Sequence, residues 1–169
     1  MKFTKLECYN PGMPRKNNGI LNQPLKKNPS RNAELLRIHI GLFEFTARFE
    51  EHLAPQTCAL FRSLLPFKKK IIQARWSGDA GWIPLGEFNH RAKQENLTSH
   101  PAPGEILLYA FGLSEPEILL PYGACTFSSK VGQLAGNHFL TIIDGQERLA
   151  PFGRTILWEG AQDVTFHIR

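Results

Sequence analysis

From Leu36 onward apolar and polar residues alternate, with Leu36, Ile38 and Ile40 set against Arg37 and His39. After Gly41-Leu42 the alternation resumes, Phe43, Phe45, Ala47 and Phe49 against Glu44, Thr46 and Arg48. A period of two marks a strand with one buried face, so the pattern predicts two strands joined by a tight turn. At Ala54-Pro55 the period lengthens. Ala54, Cys58, Phe61 and Leu65 recur at spacings of four, three and four, which makes one apolar helical face. Pro55 suits the first turn, where the N–H it lacks would have no partner, and Pro66 stops the helix. Lys68-Lys69-Lys70 then predicts a solvated turn. The strand that follows shares Ile72, Ala74 and Trp76 on one face and leaves Gln73 and Arg75 on the other.

Residues 86–104 are rich in Gly, Asn, Ser and Pro and predict a long loop. Further short strands are predicted at 105–109, 117–120, 125–128 and 138–143. Residues 146–152 predict a short helix capped by Gly153, and strands at 154–158 and 164–168 close the sheet. About eight short strands with one or two helices predict a mainly β fold, a closed barrel with capping helices, because closure removes exposed sheet edges.

Composition narrows the setting. A chain of 169 residues with 42% hydrophobic content, 14 Gly and 12 Pro can bury one turn-rich β core without metals or disulfides. Cys8, Cys58 and Cys125 are odd in number and form no CxxC pair, which predicts free thiols in a reducing compartment. No apolar run reaches the roughly 18–20 residues that span a bilayer, so the expectation is a cytoplasmic protein with no membrane partner. Residues 1–33 hold seven basic side chains against Glu7 alone, so the net charge of +5 becomes −1 over residues 34–169. The first stretch is read as a basic, disordered leader and residues 34–169 as the folded domain. The folded domain is nearly neutral, so nucleic acid is not the expected partner, and a third reading has the basic leader bind it.

The candidate chemistry lies in two stretches. The first, from Ile71 to Pro84, contains Arg75, Trp76, Ser77 and Trp82. The second, from Tyr122 to Ile143, contains Tyr122, Ser128, Ser129, Lys130, Asn137 and His138. A guanidinium at Arg75 can hold a carboxylate or polarise a carbonyl through parallel hydrogen bonds. His138 can exchange protons near neutrality, and Asn137 can orient a carbonyl. Glu117 and its neighbour Glu115 are candidates for a general base with a raised pKa if enclosed by Ile118, Leu119 and Tyr122, and Tyr122 can donate a proton or hydrogen bond. Trp76, with Ser77 and Ser128, completes the predicted binding wall. The remaining histidines show no ligand spacing, so no metal is expected and no cofactor either.

Several of these runs also carry a resemblance. Residues from about 36 to 169 are similar to a family of small bacterial cyclophilin-like proteins of unassigned function. The match lies in Ala74-Arg75-Trp76-Ser77-Gly78, Trp82-Ile83-Pro84, Pro121-Tyr122-Gly123, Gly136-Asn137-His138-Phe139 and Leu157-Trp158-Glu159-Gly160. It implies a closed cyclophilin-like barrel. Leu53–Phe61 and the strand ending at Trp76 also resemble the first helix and arginine-bearing strand of true cyclophilins. Leu140, however, stands where those isomerases carry a second aromatic. The domain is similar too to the cyclophilin-like part of cucumopine-type opine synthases, which implies carbonyl condensation chemistry. The expectation is therefore a small-molecule-binding protein that performs acid–base chemistry on a carboxylate- or carbonyl-bearing compound. Arg75, Asn137, Trp76, Ser77 and Ser128 would hold the substrate, and His138, Glu117 and Tyr122 would move protons. The alternative is a prolyl isomerase or peptide-binding module using the same face. Self-association is the one protein partnership left open.

Overall fold

A computed structural model of the chain describes residues 34–169, so the predicted basic leader lies outside the described residues. The first hairpin forms as its alternation requires. Strands β1 (Leu35–Ile40) and β2 (Phe43–Phe49) pair antiparallel with Leu36 opposite Ala47 and Ile38 opposite Phe45, all four buried. Gly41 turns the chain at φ +54, a conformation that strains residues with a Cβ. Helix α1 (Pro55–Ser63) follows, burying Thr57, Cys58 and Phe61.

The remaining strands are β3 (Phe67–Gln73), β4 (Gly78–Pro84), β5 (Leu97–Thr98), β6 (Glu105–Tyr109), β7 (Glu117–Cys125), β8 (Ser128–Ser129), β9 (Gly132–Gln133), β10 (Gly136–Asp144) and β11 (Gln162–Ile168), with helix α2 (Leu149–Trp158) before the last. Hydrogen-bonded neighbours run β2-β1-β11-β3-β4-β7-β6-β10, and β10 pairs back onto β2. Eight antiparallel strands thus close into a barrel. Strand β5 adds a short ninth to β10, and β8 with β9 forms a separate two-stranded ribbon.

Aromatic rings fill the interior. Phe61, from α1, meets Phe139 at 4.9 Å and Phe166 at 5.3 Å between ring centroids, both edge to face, the arrangement that the ring quadrupoles favour. Ile38, Ile71, Ile83, Leu108, Ile118 and Leu120 complete the same cluster.

Four local expectations are corrected. Lys68, Lys69 and Lys70 lie within β3 opposite Thr165, Val164 and Asp163, so the lysine run is strand and not turn. Arg75 is not on that strand: residues Arg75–Ser77 form one turn of 3-10 helix between β3 and β4. The strand predicted at 125–128 gives way to a longer β7, which ends at Cys125, and to the ribbon beyond it. The strand predicted at 154–158 is helical, because α2 continues through Gly153 after a 3-10 turn over Gln146–Arg148. Gly153 therefore does not cap a helix. A Cβ there would come within 2.2 Å of the Tyr122 ring, so the glycine allows α2 to lie close against β7. Pro151 is tolerated because it sits in the first turn of α2.

If the closed aromatic interior holds the barrel together, Phe61→Ala should lower unfolding stability by about 3–5 kcal/mol, the usual cost of a buried ring deletion. Urea denaturation measures it, and a loss below about 1 kcal/mol would contradict the packing.

Candidate functional site

The outer face of the sheet, not the barrel interior, carries the candidate chemistry. Successive strands place Trp82 opposite Leu119, Leu119 opposite Leu107, and Leu107 opposite His138. Leu107 and Leu119 join Ala74, Ala80, Tyr109, Phe127 and Leu134 in a second buried cluster, separate from the interior one. The segment that covers this cluster is the ribbon of β8 and β9, whose ends supply Phe127 and Leu134. It is fastened by Ser77, whose hydroxyl accepts from the Ser128 N–H at 3.2 Å and donates to the Ser128 carbonyl at 3.1 Å. The Phe127 N–H donates to the Ser99 carbonyl at 2.8 Å.

Where the ribbon meets the sheet there is a hollow of about 390 Å³. Trp76 and Trp82 form one corner, with ring centroids 5.5 Å apart and planes at 76°. Ser129 and Lys130 come from the ribbon, and Ser114, Glu115 and Glu117 come from the turn into β7. A cavity of this size suits a small organic molecule.

Glu117 is the first residue of β7, between Pro84 and Tyr109, and its side chain is 2% exposed. Burial is the chief cause that pushes its carboxyl up to about 7. The nearby Glu115 carboxylate adds to the rise, and the indole N–H of Trp82 opposes it. Among the described residues no ion pair neutralises Glu115, Glu117 or Lys130. The hollow thus contains a carboxyl able both to give and to accept a proton near neutral pH, with a cation and two hydroxyls on its walls.

The other predicted residues are dispersed. Tyr122 is five positions from Glu117 on the same strand and faces the other way. Its ring packs against Phe152 of α2 and its hydroxyl bonds Gln73, while burial raises its pKa. Arg75 is exposed on the 3-10 turn and does not line the hollow, although its neighbour Trp76 does. His138 shares the outer face with Glu117 but is two strands away, about 10 Å across the sheet at ordinary strand spacing. Its Nε2 lies 2.9 Å from the Thr141 hydroxyl, which donates in turn to Glu50.

Asn137 is fully buried and committed elsewhere. Its amide donates to Thr57 Oγ1 at 2.8 Å and to the Lys93 carbonyl at 2.6 Å, and it accepts from the Glu95 N–H at 2.9 Å. Glu95 in turn accepts from the Gln56 and Thr57 N–H groups and the Thr57 hydroxyl at the start of α1. Burial acts to raise the Glu95 pKa, but these hydrogen bonds outweigh it and hold the carboxylate below its usual range. This network ties the 89–96 loop to the helix. Thr57 and Glu95 were not among the sequence candidates; a carboxylate 38 residues from the helix start leaves no local capping pattern. Ser114 was missed too, although it directly precedes the Glu115-Pro116-Glu117 run.

The raised Glu117 pKa has a stability consequence whose sign is fixed. Between about 4.5 and about 7 the unfolded chain has released this proton and the folded protein has not. Stability therefore falls as pH rises through that window and levels off above it. Glu117→Gln should make the protein more stable at pH 8, by a few kcal/mol at most, and leave it nearly unchanged at pH 4. Urea melts of both proteins at the two pH values measure this, and an equal effect at both would reject a raised pKa.

The solved structures similar to the chain include the following two. McbB, solved in complex with tryptophan, matches with a TM-score of 0.62 and 17% identity over 78% of this chain and 44% of that one. The chain thus spans less than half the length of McbB. The hypothetical protein AF2241 from Archaeoglobus fulgidus, a solution structure, matches with a TM-score of 0.57 and 20% identity over 82% of this chain and 98% of that one. At these identities the likeness concerns the fold alone, and it agrees with the cyclophilin-like barrel expected from the sequence. No curated protein sequence matches the chain. The model of one family matches residues 36–168, nearly the whole of the described domain, and the chain accordingly belongs to DUF3830, a family of proteins of unknown function.

Proposed function

We propose that the hollow between the two indoles and the β8–β9 ribbon binds a small carboxylate- or carbonyl-bearing molecule, and that Glu117 exchanges a proton with it. The observation that carries this reading is a carboxyl 2% exposed on the wall of a solvent-sized hollow, with a pKa of about 7. Groups poised near the working pH are effective as both acid and base. Lys130, Ser114 and Ser129 are placed to hold oxygens of the guest, and the indoles to cover a flat body. McbB, a neighbour by fold, was solved with tryptophan, itself a small carboxylate-bearing molecule; this is analogy at the level of fold.

In this reading Trp76 touches the ligand, and Ser77 and Ser128 act by fastening the ribbon. Tyr122 and Asn137 support the surrounding structure, and Arg75 and His138 lie outside the hollow. No membrane enters the proposal: among the described residues no helix is long and apolar enough to cross one.

The three tryptophans provide an internal control, since Trp158 is 80% exposed on α2 and is absent from the hollow. In NMR titrations with 3-phenylpropionate, phenylpyruvate and L-phenylalanine, which share a ring and a carboxylate, at least one compound should shift the indole N–H signals of Trp76 and Trp82 and leave that of Trp158 in place. The ¹³C carboxyl signal of Glu117 should titrate near pH 7 and move its midpoint when that compound saturates the site. No response at the two indoles would dismiss the pocket, and an unmoved midpoint would dismiss the proton exchange.

A further inference from the structure

Resting on that reading, we infer that the guest also carries a protonated amine, seated in the corner of Trp76 and Trp82 and facing Glu115 and Glu117, so that the ligand class is a small amino acid or a related zwitterion. The charges on the walls lead there. Two carboxyl groups and one lysine share the hollow, and among the described residues none of the three has an ion-pair partner. With both acids ionised the hollow holds one uncompensated negative charge. The Trp76 and Trp82 rings meet edge to face on the wall of the hollow, and an indole face bordering it attracts an ammonium group through the negative side of its quadrupole.

A guest with a carboxylate and no amine would place its charge near Glu115 and would force Glu117 to stay protonated. An ammonium removes that conflict: it offsets the repulsion between the acids, while Lys130 on the ribbon wall remains free to meet the guest's carboxylate. The hydroxyls of Ser114 and Ser129 suit either end. Length follows from the volume, since about 390 Å³ admits a single ring with a short polar chain.

Binding should then be linked to pH. The titratable groups around Glu117 are Glu115 in the preceding turn, Tyr109 beside it on β6 and Lys130 on the ribbon, while β4 offers the indole of Trp82. An ammonium prefers the ionised carboxyl. For a group titrating at about 7 the ionised fraction is about 0.1 at pH 6 and about 0.9 at pH 8, and apparent affinity scales with that fraction. Affinity should therefore rise about tenfold across that interval.

Isothermal titration of the full chain with L-phenylalanine, phenethylamine and 3-phenylpropionate at pH 6 and pH 8 tests this. The two amines should bind, each about tenfold more tightly at pH 8, and 3-phenylpropionate should bind at least tenfold more weakly than L-phenylalanine. Glu117→Gln, checked for folding by circular dichroism, should abolish the pH increment, and Lys130→Ala should weaken L-phenylalanine without affecting phenethylamine. If 3-phenylpropionate binds as tightly as L-phenylalanine, the amine is refuted while the small-molecule pocket stands. If none of the three binds, both fall.

Discussion

The interior of this barrel is occupied by its own side chains, and that constraint decides where function can reside. Closure of β2 onto β10 turns alternate residues of eight strands toward one axis, and the buried ones among them are Phe, Ile, Leu, Val and Ala, with Phe61 from α1 inserted among them. The candidate hollow lies instead over the outer surface, where another segment covers the sheet.

The β8–β9 ribbon is that segment. Phe127 and Leu134 anchor it on the outward-facing leucines of β6 and β7, and the reciprocal hydrogen bonds of Ser77 and Ser128 set its distance from the tryptophan-bearing turn. The hollow is what remains between the ribbon and the sheet. Glu117 is buried beside it at a cost in stability, because its carboxyl would be ionised at neutral pH if it were exposed. A buried acid with no cationic partner among the described residues is a local conflict of the kind found at functional sites, and it motivates the proposal made for this hollow.

Much of this was legible in the linear pattern, and the failures have physical causes. Alternation at Leu36–Phe49 identified the first hairpin, and the four-three-four spacing after Ala54 identified α1, because both elements bury one face and the burial is periodic. Helix α2 was missed in its second half. Pro151 and Gly153 look like breaks, yet one occupies a first turn and the other a close approach of the helix to the Tyr122 ring of β7. Arg75 was placed on a strand because the apolar alternation runs through Ile72, Ala74 and Trp76, whereas the chain had already turned at Ala74.

The sequence by itself determined the elements that depend on neighbours a few residues away: the first hairpin, several later strands, the first helix, the barrel class, and the acidic and aromatic character of the candidate site, since Glu117, Trp76 and Lys130 could all be named from it. Which of those residues meet was decided by the tertiary structure alone. Strand pairing puts Glu117 beside Trp82, 35 positions earlier, and leaves His138 two strands away. Strand parity sends Tyr122 to the opposite face, and long-range hydrogen bonds consume Asn137. Register and the order of strands around the barrel arise from contacts between distant segments, and no local pattern encodes them.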